Sequence, residues 1–128
     1  MVIDTSALVA LFLNEPEREE FLELILKSEK RLLSAAAMVE TGIVLEARRN
    51  EVAARELDLF LHEAEIEIIS VDRTQAEQAR VAFRKYGKGR HPAALNFGDC
   101  FTYALAIVSG EPVLAKGDEF QRANLKKI

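Results

Sequence analysis

The sequence predicts an α/β protein with three layers, α/β/α, in which helices cover both faces of a short parallel sheet. Apolar runs of strand length occupy residues 2–3, 31–34, 66–71 and 112–115, and longer segments with helical spacing separate them. Connections that contain a helix imply right-handed crossovers between parallel strands. At 128 residues, the chain is expected to form a single domain with one core, residues 1–128.

The apolar spacing and the end signals place the helices. The predicted helices cover residues 6–13, 35–48, 51–64, 74–86 and 98–109, and a further one starts at Pro16. Thr74 with Glu77 resembles a capping box, and Gly110 is expected to end the last helix. Glycine and proline in residues 87–98 indicate a loop, and residues 125–128 are expected to add an edge strand.

The composition is that of an ordinary soluble protein, with 49% hydrophobic and 30% charged residues. The net charge of −4 is unlike that of a basic nucleic-acid-binding domain, although carboxylates that hold a cation would also make a chain acidic. The single cysteine excludes an internal disulfide and a cysteine-rich zinc site. No signal peptide or membrane-spanning run is visible, so a cytoplasmic protein without a membrane partner is expected.

Two acidic residues directly follow predicted strands. Asp4 comes after the first apolar run, and Asp118 comes shortly after the fourth. In open parallel sheets, ligands bind beyond the carboxyl ends of the strands, which makes both positions candidates for a site. Each also has a simpler interpretation, because aspartate is a good helix N-cap and a common turn residue.

Two further acids lie on helices near predicted strand ends. The residues three and four positions from Glu40 are all apolar: they are Ala36, Ala37, Ile43 and Val44. A charge on such a face is costly unless it reaches solvent or a partner. Asp99 stands in the first turn of its helix, where the helix dipole favours an acid and Asn96 could provide the N-cap.

These four acids together indicate a cation site. Carboxylates gathered at one place repel one another and become protonated unless a cation neutralises them. Oxygen ligands without histidine or cysteine suit Mg²⁺ or Mn²⁺. Such an ion can position a phosphodiester and activate water. The pattern therefore predicts metal-dependent phosphoryl chemistry.

Four stretches resemble a known family in their order and spacing. They are "VIDTSALVALFLNEPE", "AAAMVETGIVLEAR", "NFGDCFTYALA" and "VLAKGDEF", and they are similar to the motifs of PIN-domain ribonucleases. The closest similarity is to the VapC toxins of bacterial and archaeal VapBC toxin–antitoxin modules. The resemblance covers essentially the whole chain. It implies a Rossmann-like α/β/α fold and an endoribonuclease that depends on Mg²⁺ or Mn²⁺.

The resemblance also implies a set of catalytic acids. By motif, Asp4, Glu40 and Asp99 correspond to the three core acids of the family. The fourth is either Asp118 or Glu119, and Asp118 is favoured because it is nearer the strand end. Asp4 and Asp99 would hold one ion, and a second ion, if present, would be shared by Glu40 and Asp118.

Supporting residues and partners follow from the same resemblance. Ser6 matches the family's small hydroxyl residue beside the first acid. The partners implied are an RNA substrate, a VapB-like antitoxin and a second copy in a homodimer. Family members use helices such as 51–64 to line the groove for the antitoxin's helical tail, although its apolar stripe could also be plain core.

A basic cluster in the loop before Asp99 has two interpretations. The cluster consists of Arg84, Lys85, Lys88, Arg90 and His91. These residues, and Lys88, Arg90 and His91 in particular, could contact RNA phosphates, which would provide affinity without sequence readout, or they could simply be solvated.

Three other functions compete with that of a toxin. A haloacid-dehalogenase-like phosphatase also has an aspartate after its first strand, but it generally needs a second acid where this chain has Ser6. A PIN-domain nuclease in RNA processing would share the acids. A catalytically silent binding module would not need them.

Overall fold

The computed structural model describes residues 1–128 and contains one parallel sheet. Its four strands lie in the order β3-β2-β1-β4, so β1 is central. They are β1 (Val2–Ile3), β2 (Leu32–Ser34), β3 (Glu67–Ile69) and β4 (Val113–Leu114). Every neighbouring pair is parallel, which confirms the predicted α/β class. The four strands predicted at residues 2–3, 31–34, 66–71 and 112–115 are all present, and the last three are shorter than predicted.

Seven helices surround this sheet. They are α1 (Thr5–Phe12), α2 (Arg18–Lys27), α3 (Ala35–Arg48), α4 (Glu51–Glu63), α5 (Arg73–Tyr86), α6 (Phe97–Ser109) and α7 (Glu119–Arg122). Helices α1 to α4 pack on one face of the sheet, while α5, α6 and α7 pack on the other. The three layers predicted from the sequence are therefore present. None of the helices is long and apolar enough to cross a membrane.

Alternation along the strands divides the core between the two faces. Successive strand residues point to opposite sides of a sheet. One face carries Ile3, Leu33 and Leu114, and the other carries Val2, Leu32 and Val113. All six are buried, which explains why the strands read as continuous apolar runs.

Caps begin and end several of the helices. Asp4 caps α1 directly after β1, and Ser34, the last residue of β2, caps α3. Asn96 caps α6, as predicted, and the structure adds that Asp99 completes a reciprocal capping box with it. Gly110 ends α6 with a left-handed backbone, φ 73°, which glycine adopts without steric cost.

Three sequence predictions differ from the structure. The capping box at Thr74 is wrong, because the Asp72 side chain caps α5 by accepting from the backbone N–H of Gln75 at 2.8 Å. Helix α2 begins at Arg18 rather than near Pro16. Residues 125–128 form only a single bridge, between Lys127 and Val113, instead of a strand.

Candidate active site

Asp4 is a buried carboxylate held by hydrogen bonds at the central strand. It lies directly after β1, and its side chain is 5% exposed. The hydroxyl of Thr102 donates to Oδ1 at 2.8 Å, and the backbone N–H of Ser6 donates to Oδ2 at 3.0 Å. Its own N–H donates to the carbonyl of Leu114, at the end of β4. Asp4 is thus a helix cap and also a fixed acid over the carboxyl ends of β1 and β4.

Asp99 faces the same region from the first turn of α6. Its Oδ2 accepts from the N–H of Asn96 at 3.0 Å, so it too serves as a cap. Burial raises the pKa of Asp99 to about 6, opposed by the Asn96 hydrogen bond and reinforced by the negative charges of Asp4, Glu119 and Glu40. The structure therefore brings four carboxylates into one electrostatic neighbourhood.

Glu40 reaches this neighbourhood from α3. Its carboxylate lies against the α-carbon of Gly98, since a Cβ added there would come 2.7 Å from Oε1. A larger residue at position 98 would displace the Glu40 head group. The neighbours Val39 and Ile43 are both more than 60% exposed, so Glu40 lies within an apolar surface and not in the core.

The fourth acid in this cluster is Glu119, whereas Asp118 lies apart. Asp118 is exposed and accepts from Nε of Arg122 at 2.9 Å, one turn along α7. Glu119 is partly buried, lies against Gly117 and contributes to the raised pKa of Asp99. The short helix α7 begins at Glu119 and was not predicted, which is why the preference for Asp118 did not anticipate this arrangement.

Ser6 connects two turns beside the acids. Its hydroxyl accepts from the N–H of Lys116 at 2.9 Å, which ties the start of α1 to the segment after β4. The ammonium of Lys116 pairs with Glu15 at 3.1 Å and with Glu17 at 3.4 Å. Ser6 thereby links the backbone that follows Asp4 to the backbone that follows β4.

No basic side chain pairs with the clustered acids. The ion pairs of the protein include none of Asp4, Glu40, Asp99 or Glu119. Their side chains do not, however, converge as a group of three or more on one point at metal-ligand distance. The donor set fits a hard divalent cation in its charge and oxygen chemistry.

The loop residues predicted to contact RNA have separate local roles. His91 accepts from the N–H of Ala93 at 3.0 Å through Nδ1, and its ring packs edge-on against Tyr86. The guanidinium of Arg90 lies 5.8 Å above the ring of Phe83. Lys88 is exposed. That these three residues contact RNA stays a prediction.

Comparison with known proteins identifies the family. A family model described as "PIN domain" matches residues 1–126. The chain belongs to the PIN-domain family. Among its relatives, Ribonuclease VapC30 of Mycobacterium tuberculosis is 50% identical over 128 residues, covering 100% of this chain and 98% of the relative. Ribonuclease VapC of Mycolicibacterium smegmatis is also 50% identical, covering 100% and 99%. This places the chain among the VapC ribonucleases of that family.

Solved structures agree on the fold. The toxin VapC20 of Mycobacterium tuberculosis, described as cleaving the sarcin–ricin loop, superposes with a TM-score of 0.82 at 18% identity. That match covers 99% of this chain and 97% of VapC20. VapBC2 of Rickettsia felis gives a TM-score of 0.75 at 21% identity, covering 99% and 96%. At these identities the matches establish the PIN fold alone.

Thr102 is a residue of this PIN domain to which the sequence analysis assigned no role. It is fully buried and lies one turn after Asp99 on α6, where it is the only side-chain donor to Asp4. A polar residue three positions from a candidate acid, in an otherwise apolar helix, is the signal that could have identified it.

Thr102→Val is expected to lower the free energy of unfolding by about 2 kcal/mol, because it removes a hydrogen bond to a buried charge while keeping the side-chain volume. Thr102→Ser keeps the donor and leaves only a methyl-sized cavity, costing about 1 kcal/mol. Urea unfolding at neutral pH measures both. A Val variant at least as stable as the Ser variant would show that the hydrogen bond contributes nothing.

Asp99→Asn is expected to stabilise the protein at pH 7.5, in the presence of a chelator, by about 1–2 kcal/mol. The pKa of Asp99 is raised in the folded state, so its ionised form costs stability above pH 6. The gain should shrink as the pH falls through 6 and vanish near the ordinary aspartate pKa, about 4, because the wild-type carboxyl is then protonated. Urea unfolding across this range measures it, with the exposed Asp118→Asn as control. A difference that does not change with pH would assign the effect to the cap instead of the charge.

Proposed function

We propose that this PIN domain is an endoribonuclease that requires Mg²⁺ or Mn²⁺, and that it is the toxin of a VapBC toxin–antitoxin pair. One observation carries the proposal. Three carboxylates without basic partners, those of Asp4, Glu40 and Glu119, lie around Asp99 near the carboxyl ends of β1 and β4. The 50% identity to proteins named VapC ribonucleases supports RNA as the substrate. The cytoplasm as the place of action stays a prediction from the sequence.

In this proposal two of the four acids hold the cation, and the other two add charge and orient water. Asp4 and Asp99 hold the cation, because Asp4 is fixed by two hydrogen bonds and Asp99 faces it from α6. Glu40 and Glu119 add negative charge and orient the attacking water. When bound, the cation supplies positive charge for the phosphate oxygens and lowers the pKa of water. Thr102 keeps the Asp4 carboxylate in one orientation.

Glu119 is proposed as the fourth acid in place of Asp118. Asp118 pairs with Arg122, whereas Glu119 is among the charges that raise the pKa of Asp99. Position 6, where a haloacid-dehalogenase-like phosphatase would carry its second acid, holds a serine engaged with the Lys116 N–H. That alternative therefore has no support.

A groove between α1, α2 and α4 is proposed to receive a helix of a VapB-like antitoxin. The groove has a volume of about 400 Å³, with an apolar part formed by Leu11, Phe12, Leu22 and Phe60. Its other lining residues are polar or charged, namely Asn14, Arg18, Arg49 and Glu56. The rings of Phe12 and Phe60 pack edge to face, 5.8 Å between centroids. An amphipathic helix fits such a groove through its apolar face. Structural neighbours described as VapBC2 of Rickettsia felis and VapBC-1 of Haemophilus influenzae support a partner of this kind.

The exposed apolar side chains beside Glu40 are proposed as part of a homodimer contact. Val39 and Ile43 on α3 are large apolar side chains that are mostly exposed to solvent, and Phe97 at the start of α6 is even more exposed. Exposed apolar patches of this kind are typical of protein–protein contacts. Burying them against a second copy would place two acid clusters near one subunit interface.

Asp4→Asn and Asp99→Asn are each expected to lower RNA cleavage by at least about a hundredfold, because either change removes a charge that holds the cation. Glu119→Gln should lower cleavage as well, whereas Asp118→Asn should stay near the wild-type rate. Cleavage of labelled RNA in Mg²⁺, with excess EDTA as a second control, measures these rates, and circular dichroism checks the fold. Full activity of the Asp4 or Asp99 variant, or in EDTA, would refute the mechanism. A loss with Asp118→Asn but not Glu119→Gln would reverse the assignment of the fourth acid.

Phe60→Glu is expected to weaken binding of the antitoxin encoded beside this gene by about tenfold or more, since it replaces part of the groove's apolar surface with a charge. Leu59→Glu is the matched control, because Leu59 precedes it on α4, is exposed and does not line the groove. Calorimetric titration with a peptide of the antitoxin's C-terminal helix measures the affinity. Equal affinities of the two variants would place the antitoxin elsewhere. Both should retain RNA cleavage.

A further inference from the structure

The two glutamates of the acid cluster are held differently from its two aspartates. Asp4 accepts two hydrogen bonds and Asp99 accepts one, all from groups of the protein. The hydrogen bonds that carboxylates accept in this protein include none to Glu40 or Glu119. The oxygens of the two glutamates therefore keep their lone pairs for water or a cation, but no donor fixes where they lie.

Each of these glutamate head groups lies against a glycine. A Cβ added to Gly98 would come 2.7 Å from Oε1 and 2.8 Å from Cδ of Glu40. A Cβ added to Gly117 would come 2.5 Å from Oε2 and 3.1 Å from Oε1 of Glu119. Non-bonded heavy atoms pack best at about 3.5 Å or more. A side chain at either position would therefore push the neighbouring carboxylate away.

Gly98 is an unfavourable residue for the backbone that it occupies. It is the second residue of α6, and its φ is not among the left-handed values of this chain. Glycine weakens a helix relative to alanine, because it loses more backbone freedom on folding. The three heavy atoms nearest to an added Cβ all belong to the Glu40 carboxylate. The Glu40 head group is thus the first group that an alanine at position 98 would displace.

Gly117 combines the same close approach with a backbone requirement. Its φ is 90°, in the left-handed region where a residue with a side chain is strained. Gly117 is therefore needed for its conformation as well as for the room that it leaves to Glu119. Only Gly98 separates the need for room from the need for backbone freedom.

We propose that Gly98 is a positioning residue of this ribonuclease, because its missing side chain admits the Glu40 carboxylate to the first turn of α6. Gly117 does the same for Glu119. The inference rests on the proposed function, in which these two glutamates orient the attacking water. A carboxylate placed by shape, and not by a donor, keeps both oxygens free to accept from that water. The N-terminal end of α6 also favours the negative charge of Glu40.

The first test is Gly98→Ala, with Gly42→Ala as the matched control. Gly42 also lies in helical backbone, on α3, and a Cβ added there would meet nothing within 4 Å. Gly98→Ala should lower kcat for RNA cleavage in Mg²⁺ by about tenfold or more and leave KM within about twofold, since an orienting group acts on kcat. Gly42→Ala should leave both constants within about twofold. A wild-type kcat in Gly98→Ala would overturn the inference.

Urea unfolding in EDTA separates positioning from folding. Gly98→Ala should unfold at the wild-type urea midpoint or above it, because alanine favours the helix and the displaced Glu40 charge moves away from the other acids. Gly42→Ala should likewise raise the midpoint. A midpoint below wild type for Gly98→Ala would show that the glycine is needed for packing, and this result would overturn the inference.

A double-mutant cycle tests whether Gly98 acts through Glu40. Glu40→Gln is expected to lower kcat about a hundredfold. Adding Gly98→Ala should lower it by no more than about a further twofold, because no carboxylate remains to be displaced. If the two losses multiply instead, Gly98 acts by another route and the inference is overturned.

The same cycle applies to the second glycine. Gly117→Ala also strains the backbone, so its own loss of kcat contains two effects. Combined with Glu119→Gln, it should lower kcat by less than the product of the two single losses, because the positioning effect is then absent. A loss equal to that product would remove Gly117 from the inference.

A crystal structure of Gly98→Ala gives a readout that does not depend on cleavage. The Glu40 carboxylate should lie about 1 Å or more from its wild-type position, since the added Cβ occupies its place. An unmoved carboxylate would overturn the inference whether or not the protein cleaves RNA. A moved carboxylate with a wild-type kcat would overturn the inference and leave the nuclease function intact. Absence of cleavage by the wild-type protein would instead refute the proposed function.

Discussion

The hydrogen bond from Thr102 to Asp4 joins the central strand to α6 and constrains the rest of the site. Asp4 is nearly fully buried, and a buried carboxylate is tolerated only when donors satisfy its oxygens. Thr102 can provide that donor only if α6 crosses the carboxyl end of β1 at one depth and one rotation. That placement also brings Asp99 toward Asp4, because Asp99 lies one turn before Thr102 on α6. One buried contact thus sets the geometry of two acids.

The clustered acids lower the free energy of unfolding at the place where the cation is proposed to bind. The raised pKa of Asp99 records the free energy cost of placing it, partly buried, beside three other carboxylates. Such perturbed groups are concentrated at functional sites, where a ligand later supplies the missing charge. Caps and backbone contacts limit the cost, since Asp4 and Asp99 also satisfy the N–H groups at the starts of α1 and α6. Capping and cation binding are therefore compatible roles of the same side chains.

Much of the fold was predictable because its signals are local. The alternation of apolar strands and helices predicted the parallel sheet, and the N-cap Asn96 and the terminal Gly110 marked the ends of α6 correctly. Errors occurred where a local pattern had two readings, as at Thr74, where Asp72 two residues earlier caps α5 instead. The catalytic roles of Asp4, Glu40 and Asp99 stay predictions, although the structure brings the three side chains into one neighbourhood.

The sequence by itself determined the fold class, the family and three of the four clustered acids, because motif spacing and hydrophobic period are written along the chain. Only the tertiary structure decided that Glu119 joins those acids while Asp118 pairs with Arg122, since the start of α7 sets which side chain turns inward. The tertiary structure alone also revealed Thr102 as the donor to Asp4. These features join residues from separate elements, and no local pattern predicts where such elements meet.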